Sequence, residues 1–310
     1  MGIMNNSRSY KVAAYITAFQ DSSAVEACLS GIKEQSYPIQ DIYIVDNSPQ
    51  AIVENTHESL IIRHHPDNIG IGGGLALVLE ETLKKNYDFL WTFDQDSVPN
   101  NNALEQLLKF YEKTKFKNRI GIIAPIAFDL RTNQIIQGAL FQRDHFVGCE
   151  HQSNLPYQCD APITSGSLIA LEAVRVAGLP YTELFIDGVD FEYGMRLCQK
   201  GFQNFIIPQA VIHHEFGIPQ RVKFLSKEKV LQIYSPLRHY YICRNHTYLE
   251  MQYVSKPYMI HTFLFRLKYF FNTARNIILF DNKSKLIKVW ACFIGTWHGF
   301  QGKLGKTWRN

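Results

Sequence analysis

The sequence predicts an α/β fold in which a mostly parallel sheet, flanked by helices, precedes a C-terminal helical extension. In the first half of the chain, short apolar runs alternate with helical stretches, which is typical of right-handed βαβ units. Acidic residues directly follow two of these runs, at the edge where such sheets bind ligands. After Pro236 the chain becomes aromatic and basic. We therefore expect a ligand-binding domain over residues 1–235 and a helical region over residues 236–310.

The individual elements follow from the spacing of the apolar residues. Strands are predicted at residues 12–17, 42–45, around 61, 89–93, 120–125 and 205–212. Helices are predicted from Ser22 or Ser23 to about residue 32, and over residues 75–85, 171–177 and 189–200. The stretch that follows the predicted strand 120–125, as far as Asp160, is expected to be rich in loops.

The composition excludes several classes of protein. A content of 46% hydrophobic and 19% charged residues is that of a globular chain rather than a disordered one. The six cysteines form no CxxC pair, which argues against a zinc ribbon or a disulfide framework and favours reduced thiols in the cytosol. The N-terminus carries no apolar signal segment, and no run approaches the roughly 18 apolar residues of a membrane span. We therefore expect a soluble or peripheral protein.

Charge is distributed unevenly along the chain. The net charge of +4 combines a body that carries −5 with residues 256–310, in which ten Lys or Arg face a single acid, Asp281. Aromatic residues lie among these basic residues, as in helices that bind an anionic membrane surface. Nucleic acid binding and a helical cap on the first domain are the alternatives. Glycines recur there at spacings that allow close helix packing, including packing between subunits: Gly295, Gly299, Gly302 and Gly305.

The strongest single motif is Asp94-Gln95-Asp96, which directly follows the apolar run 89–93. Two carboxylates at the end of a buried strand can hold a hard divalent cation, Mg²⁺ or Mn²⁺. Such a cation absorbs charge when a nucleotide diphosphate leaves. The alternative is a solvated turn, but the position after an apolar strand favours the metal site.

Two further motifs point to a nucleotide. Asp46 ends the apolar run 42–45, where a carboxylate can accept the N3–H of a pyrimidine base, although an Asx-turn before Pro49 explains it equally well. The glycine-rich segment from Asn68 to Gly74 allows a phosphate to approach the backbone, or else a tight turn and close helix packing.

Acidic and histidine residues supply candidates for the chemistry. Asp190 lies at a predicted helix start, where it can act as a general base or compensate the helix dipole. Glu192 is expected to form an ion pair with Arg196, four residues later. An imidazole from His213 or His214, at the end of another strand, can complete a metal site with Asp96.

In sequence order, these motifs resemble the inverting, A-type nucleotide-sugar glycosyltransferases of family two, and within them the bacterial rhamnosyltransferases of O-antigen and capsule synthesis. The matching segments are Ile16-Thr17-Ala18-Phe19, Val45-Asp46-Asn47-Ser48, Asn68-Ile69-Gly70-Ile71, Phe93-Asp94-Gln95-Asp96-Ser97, Ser165-Gly166-Ser167-Leu168-Ile169, Phe185-Ile186-Asp187-Gly188-Val189-Asp190 and Tyr240-Tyr241-Ile242-Cys243-Arg244-Asn245.

The resemblance implies an A-type glycosyltransferase fold, a catalytic domain over residues 1–235 and a role for each matched residue. Asp190 corresponds to the catalytic base, by its register with Arg196, although many members have Glu-Asp where this chain has Val189-Asp190. The implied nucleotide-sugar contacts are Thr17, Phe19, Asp46, Asn68, Gly70 and Asp94. The implied ligands of Mg²⁺ or Mn²⁺ are Asp94, Asp96 and His214, with His213 as the alternative histidine.

The resemblance also implies a reaction and its partners. We expect transfer of L-rhamnose from dTDP-rhamnose to a lipid-linked saccharide acceptor, with galactofuranosyl or glucosyl transfer from a UDP-sugar as the alternative. The expected location is cytoplasmic, peripheral on the cytoplasmic face of the inner membrane, with no nucleic acid partner and with homo-oligomers left open. Two other classes of protein are alternatives to a glycosyltransferase: a regulatory module that binds a nucleotide sugar, and an unrelated Rossmann-type enzyme. The Rossmann-type enzyme is disfavoured because the segment from Gly70 lacks the last glycine of the dinucleotide fingerprint.

Overall fold

The computed structural model of the chain describes residues 9–54, 58–150, 154–215, 217, 219–224 and 227–308. Its β-strands are β1 Val12–Ala18, β2 Asp41–Asp46, β3 Leu60–His64, β4 Phe89–Asp94, β5 Ser97–Pro99, β6 Ile120–Asp129, β7 Gln134–Ile136, β8 Ala139–Gln142, β9 His145–Gly148, β10 Tyr157–Gln158, β11 Leu168–Ala170, β12 Gln203–His214, β13 Pro219–Phe224 and β14 Lys227–Gln232. Its α-helices are α1 Ser22–Lys33, α2 Gly70–Lys84, α3 Ala103–Lys113, α4 Leu171–Ala177, α5 Val189–Gln199, α6 Pro236–Tyr253, α7 Met259–Phe280 and α8 Lys285–Gln301.

The main sheet is mixed, and its long strands pair in parallel. Among the described residues the strand order is β10-β12-β6-β11-β4-β1-β2-β3, with β5 added to β12 and β7 added to β6. Strands β4, β1, β2 and β3 are parallel neighbours, as are β6 and β12. The short strand β11 is antiparallel to both β4 and β6 and joins the two parallel halves. The predicted α/β class is confirmed, and the antiparallel additions to the main sheet are strands of two or three residues.

Burial explains why the parallel strands were visible in the sequence. Strands covered by helices on both faces need an almost continuous apolar run. Strand β1 has six buried residues out of seven, and β4 five out of six. The core includes the fully buried rings of Tyr15, Tyr43 and Trp91.

Several elements are longer than predicted. Strand β12 extends the predicted strand 205–212 by two residues at each end. It contains Pro208 at a point where its pairing with β6 shifts register, between Ile207 and Val211, and an irregularity of this kind tolerates a residue without an N–H group. Helix α2 begins at Gly70 rather than near residue 75, so the glycine-rich segment is the first turn of the helix.

Close packing accounts for these glycines of α2. A Cβ atom on Gly74 would lie 2.5 Å from the hydroxyl oxygen of Tyr15, and one on Gly70 would collide with the carbonyl group of Phe185. The helix-packing explanation of the segment is therefore confirmed. The stretch predicted to be rich in loops contains β7, β8, β9 and β10, which are too short to give a periodic signal.

The C-terminal helices α6, α7 and α8 pack on one another. Gly295 and Gly299 of α8 face the backbone of α6, so this glycine spacing serves packing within the chain. Within the described part of the chain, no helix has the length and apolar character needed to span a membrane.

A substitution at Gly299 tests this packing. Alanine is a better helix former than glycine by about 1 kcal/mol. A Cβ at this position, however, would lie 2.5 Å from the Arg244 carbonyl oxygen and 2.7 Å from the Thr247 Cβ. We expect Gly299→Ala to lower the melting temperature, because overpacking costs about 1–3 kcal/mol. A melting temperature equal to or above that of the wild type, measured by calorimetry, would contradict the observed contact between α6 and α8.

Candidate active site

The carboxyl ends of three parallel strands bring the predicted nucleotide residues to one edge of the sheet. Asp46 ends β2 and Asp94 ends β4, on either side of β1. The strand register pairs Thr17 with Asp94 and Ala18 with Asp46. This is the edge predicted from the sequence, because the carboxyl ends of parallel strands lie at one edge of a sheet and ligands bind there.

A candidate metal site lies at the same edge. Asp94, Asp96 and His214 each place one side-chain donor atom within 4.8 Å of the other two. His214 reaches the two aspartates because β5, which follows them, pairs with β12 in a register that joins His214 to Ser97. His213 alternates to the other side of the strand, where its ring contacts that of Phe128.

The electrostatics of this group suit a divalent cation. Oδ1 of Asp94 and Oδ1 of Asp96 are buried and accept no hydrogen bond among the described residues. Burial, and then the neighbouring charge of Asp96, raise the pKa of Asp94. Burial alone would lower the pKa of His214, but Asp96, 3.3 Å from its Nδ1, outweighs burial and raises it. Two neighbouring carboxylates, each with a buried oxygen that accepts no hydrogen bond, and one imidazole form a donor set that Mg²⁺ or Mn²⁺ fits.

Two serines that the sequence analysis did not assign support this site. The backbone N–H of Asp94 donates to Ser165 Oγ over 2.8 Å, and Ser97 Oγ lies 3.0 Å from Ser165 Oγ. Ser97 Oγ also lies 2.6 Å from His214 Nδ1. The Ser165-Gly166-Ser167 motif was visible in the sequence, but only the folded chain brings it beside Asp94. Such surrounding hydrogen bonds orient metal-binding side chains.

Asp46 builds the loop that follows β2. Its side chain is fully buried, and its two carboxylate oxygens accept hydrogen bonds from the backbone N–H groups of Ser48 and Ile52 over 2.9 and 2.8 Å. The neighbouring Asn47 accepts a hydrogen bond from Ile69 N–H over 2.9 Å, which ties this loop to the start of α2. The turn-forming alternative is therefore present, and base recognition by Asp46 stays a prediction.

The other predicted nucleotide contacts lie in loops around this edge. Gln95, between the two aspartates, exchanges two hydrogen bonds with the backbone of Phe19, whose ring is 45% exposed. Asn68 has a positive φ of 52° and accepts a hydrogen bond from the Gly70 N–H. The fold thus fixes the backbone of these loops, and their contacts to a nucleotide stay predictions.

The acidic cluster divides into two kinds of residue. Glu192 is fully buried and forms a bidentate ion pair with Arg196, at 2.7 and 2.9 Å, so the predicted structural pair is confirmed. Asp190 instead lines a cleft together with Asp94 and His214. Burial is the main cause that raises the pKa of Asp190 to about 7, opposed by a hydrogen bond from Phe191 N–H.

This cleft has a volume of about 320 Å³ and also contains residues from outside the sheet. Arg238, in the first turn of α6, lines it beside Asp187, with 3.3 Å between Arg238 Nε and Asp187 Oδ1. Burial, partly offset by Arg238, raises the pKa of Asp187. No sequence motif predicted a role for Arg238, although it lies two residues before the Tyr240 motif.

The Tyr-Tyr-x-x-Arg-Asn motif holds the loop that carries Asp190. Arg244 is fully buried and donates to the carbonyl groups of Glu183 and Leu184, each over 3.0 Å. The amide nitrogen of Asn245 lies 2.7–2.9 Å from the carbonyl oxygens of Leu184, Ile186 and Asp187. The motif on α6 therefore fixes the backbone of the loop that leads into α5 and Asp190.

Sequence comparison identifies relatives of the chain. Residues 14–157 match the family model described as Glycosyl transferase family 2. The chain is 26% identical over 253 residues, 77% of its length and 79% of the relative, to a Shigella flexneri protein named dTDP-rhamnosyl transferase RfbF. A stretch of 119 residues, 34% of the chain and 28% of the relative, is 30% identical to a hyaluronan synthase of Streptococcus pyogenes serotype M3.

Solved structures share the fold at low sequence identity. A crystal structure of GalNAc-T7 with UDP, GalNAc and Mn²⁺ superposes with a TM-score of 0.58 at 13% identity, covering 92% of this chain and 54% of that one. The present chain thus spans about half of GalNAc-T7. The S. aureus TarS 1–349 structure gives a TM-score of 0.51 at 12% identity, covering 93% of this chain and 80% of that one. The likeness to these solved structures shows that the chain has the A-type glycosyltransferase fold, and the match to the family 2 model lies within it, over residues 14–157.

Proposed function

We propose that this chain is a family 2 glycosyltransferase and that it transfers L-rhamnose from dTDP-rhamnose, with inversion, to a saccharide acceptor carried by a lipid. The observation that carries the proposal is the meeting of the Asp94, Asp96 and His214 group with Asp190 in one cleft. The similarity to a dTDP-rhamnosyl transferase over most of both chains supports the choice of donor. Galactofuranosyl or glucosyl transfer from a UDP-sugar is the alternative, because sugar choice depends on a few pocket contacts.

The metal group and Arg238 would bind the diphosphate of the donor. Asp94, Asp96 and His214 would hold Mg²⁺ or Mn²⁺, which supplies positive charge for the departing nucleotide. Arg238 adds a cation on the α6 side of the same cleft. Its Nε faces Asp187, so its two terminal nitrogens can donate hydrogen bonds to a phosphate in the fork geometry that arginine favours.

Asp190 would remove the proton from the acceptor hydroxyl. As that oxygen attacks the anomeric carbon, the bond from this carbon to the phosphate oxygen breaks, and its electrons leave with dTDP. The proton passes to the Asp190 carboxylate, which later releases it to water. A carboxyl group with a pKa of about 7 suits this task, because general bases work best when their pKa lies near the working pH.

Donor binding provides a test of the metal site and of the nucleotide. We expect dTDP with Mg²⁺ to raise the melting temperature, by the equivalent of about 2.7 kcal/mol at a hundredfold excess over its dissociation constant. GDP should give a smaller shift, and EDTA should remove both the shift and the transfer. Asp96→Asn should lose the part of the melting-temperature shift that depends on Mg²⁺. Glu172→Gln, a change at a 76% exposed side chain on α4, should keep that part. A larger shift with GDP than with dTDP, or full transfer in excess EDTA, would contradict the proposal.

The role of Asp190 predicts both a rate and a pH profile. Asp190→Asn keeps the shape of the side chain but removes the proton acceptor, so we expect turnover to fall by about 10²–10⁴ while dTDP binding is retained. For the wild type, kcat/KM should fall about tenfold per pH unit below pH 7 and level off above it, because only the deprotonated carboxylate accepts a proton.

Glu192→Gln is the control for that experiment. It breaks the buried ion pair with Arg196, so it should lower the melting temperature. The protein that remains folded should keep its turnover when assayed below that temperature. If Asp190→Asn kept near-normal turnover while Glu192→Gln lost turnover under these conditions, Asp190 would not be the general base.

The exposed apolar residues of α7 and α8 support the proposed location at the cytoplasmic face of the inner membrane. Large apolar side chains at least 40% exposed occur along both helices: Ile260, Phe263, Leu264, Phe271, Ile278, Leu279, Leu286, Ile287, Trp290, Phe293 and Trp297. Lys283 and Lys285 lie where the two helices meet. Apolar and basic side chains on one surface are typical of proteins that bind anionic phospholipids.

Vesicle binding tests this location. We expect the wild type to co-sediment with vesicles containing phosphatidylglycerol, and to be released when salt is raised or the anionic lipid is omitted. The change Leu286→Glu, at a residue of α8 that is 87% exposed, should weaken binding strongly. Val176→Glu introduces the same charge at a residue of α4 that is 54% exposed, and it should have little effect. Binding to neutral vesicles that does not change with salt concentration would contradict the proposed surface. Equal effects of the two variants on vesicle binding would also contradict it.

A further inference from the structure

A second space opens beside the catalytic cleft, between the end of β14, α6 and α7. It has a volume of about 240 Å³. Three residues, Tyr234, Ile242 and Tyr269, line both this space and the catalytic cleft, so the two spaces are adjacent. The catalytic cleft alone, at about 320 Å³, is at the lower end of the range of about 300–1,000 Å³ typical of small-molecule sites. We call the second space the α6–α7 groove.

The side chains of the groove combine aromatic rings with uncharged hydrogen-bonding groups. Tyr234, Tyr269 and Phe280 supply aromatic rings, and Gln232, Thr273 and Asn276 supply amide and hydroxyl groups. A pyranose ring presents C–H groups on its faces and hydroxyl groups around its rim. Aromatic faces and amides therefore match a sugar, whereas an acyl or prenyl chain would leave the amides without partners.

One polar atom of the groove already lacks a partner. Oε1 of Gln232 is buried and has no hydrogen bond to any described residue. Such groups are rare in folded proteins, because a buried acceptor without a donor costs about 1–3 kcal/mol. A ligand hydroxyl would satisfy this acceptor.

The charge of the groove excludes an anionic ligand. Among its described lining residues the only carboxylate is Asp281, which forms a buried ion pair with Lys288. Burial, and then the charge of Lys288, lower the pKa of the lining residue His239 to about 4, so this imidazole is neutral at pH 7. No Lys or Arg lines the groove among the residues described, in contrast to the Arg238 side of the catalytic cleft.

We propose that the α6–α7 groove is an acceptor subsite that binds an uncharged sugar unit next to the one that receives the transferred sugar. The inference rests on the proposed function, since a saccharide in the groove would be part of an acceptor only because the groove lies beside the cleft of Asp190. The lipid and its phosphates lie outside the groove in this arrangement, because its walls carry no cation to meet them.

Binding and kinetics with defined saccharides test the proposal. The probes are methyl glycosides of rhamnose, glucose, galactose and N-acetylglucosamine, and disaccharides that contain the same sugars. Saturation-transfer NMR on the full chain without donor measures binding. Transfer from dTDP-rhamnose measures KM for each monosaccharide and disaccharide. Gln232→Met and Asn276→Ala remove one hydrogen-bonding group each, and Asn272→Ala, one turn before Asn276 on α7 and outside the groove, is the matched control.

We expect the wild type to bind at least one disaccharide more tightly than its component monosaccharides. Gln232→Met and Asn276→Ala should each weaken disaccharide binding and raise its KM by about 3- to 10-fold, the loss expected for one hydrogen bond. Monosaccharide values should change much less, and Asn272→Ala should change neither. Because Gln232→Met removes a buried acceptor without a partner, its melting temperature should stay at or above the wild-type value, which separates this effect from unfolding.

The outcomes separate this inference from the proposed function. Disaccharide binding that depends on Gln232 and Asn276, without transfer of rhamnose to any probe, would support the groove as a saccharide site and count against the proposed donor or reaction. Transfer with the same disaccharide KM in all variants would overturn the subsite, as would absence of saccharide binding to the wild type. Displacement of a bound disaccharide by decyl phosphate, lost in Asn276→Ala, would identify a lipid occupant and also overturn it.

Discussion

The catalytic cleft depends on one fully buried arginine. All five N–H groups of Arg244 have partners, and these are carbonyl or side-chain oxygens rather than a carboxylate. A buried charge without compensation costs several kcal/mol. Moving any of these groups away from Arg244 would therefore be unfavourable, and this keeps them in place. Those groups include the carbonyls of Glu183 and Leu184, just before the loop that leads to Asp190, and the C-terminal segment at Gly305. One side chain thus joins α6, the catalytic loop and the end of the chain.

The same interaction explains how a strained loop persists. Phe185 and Asp187 have positive φ values of 67° and 58°, which are uncommon for residues other than glycine and cost about 1–3 kcal/mol each. The hydrogen bonds from Arg244 and Asn245 to carbonyl groups of this loop offset that cost. The strained turn delivers Asp190 to the cleft, while Glu192, two residues later, faces the interior and binds Arg196. Both acids lie on α5, and residues two positions apart on an α-helix point to nearly opposite sides.

The parts of the fold that the sequence predicted are those fixed by local patterns. Continuous apolar runs mark the buried parallel strands, and the acids that follow them, Asp46 and Asp94, necessarily share one edge of the sheet. What the sequence could not predict depends on long-range pairing. The contact of Ser97 with His214 spans 117 residues and exists only because β5 pairs with β12. Arg238 carries no local signal, since a charged residue in the first turn of a helix is usually solvated.

The domain boundary expected at residue 235 marks a change in composition more than a change in function. Helix α6 begins there, yet Arg238 lines the catalytic cleft, and Arg244 fixes the loop of Asp190. The change in composition reflects what α7 and α8 face: their outer sides are apolar and basic, whereas the body of the chain is acidic. The division of charge has a physical consequence for the cleft. Its aspartates repel a diphosphate until a cation neutralises them, so cation and nucleotide are expected to bind together, with Arg238 as the only guanidinium among the described lining residues of the cleft.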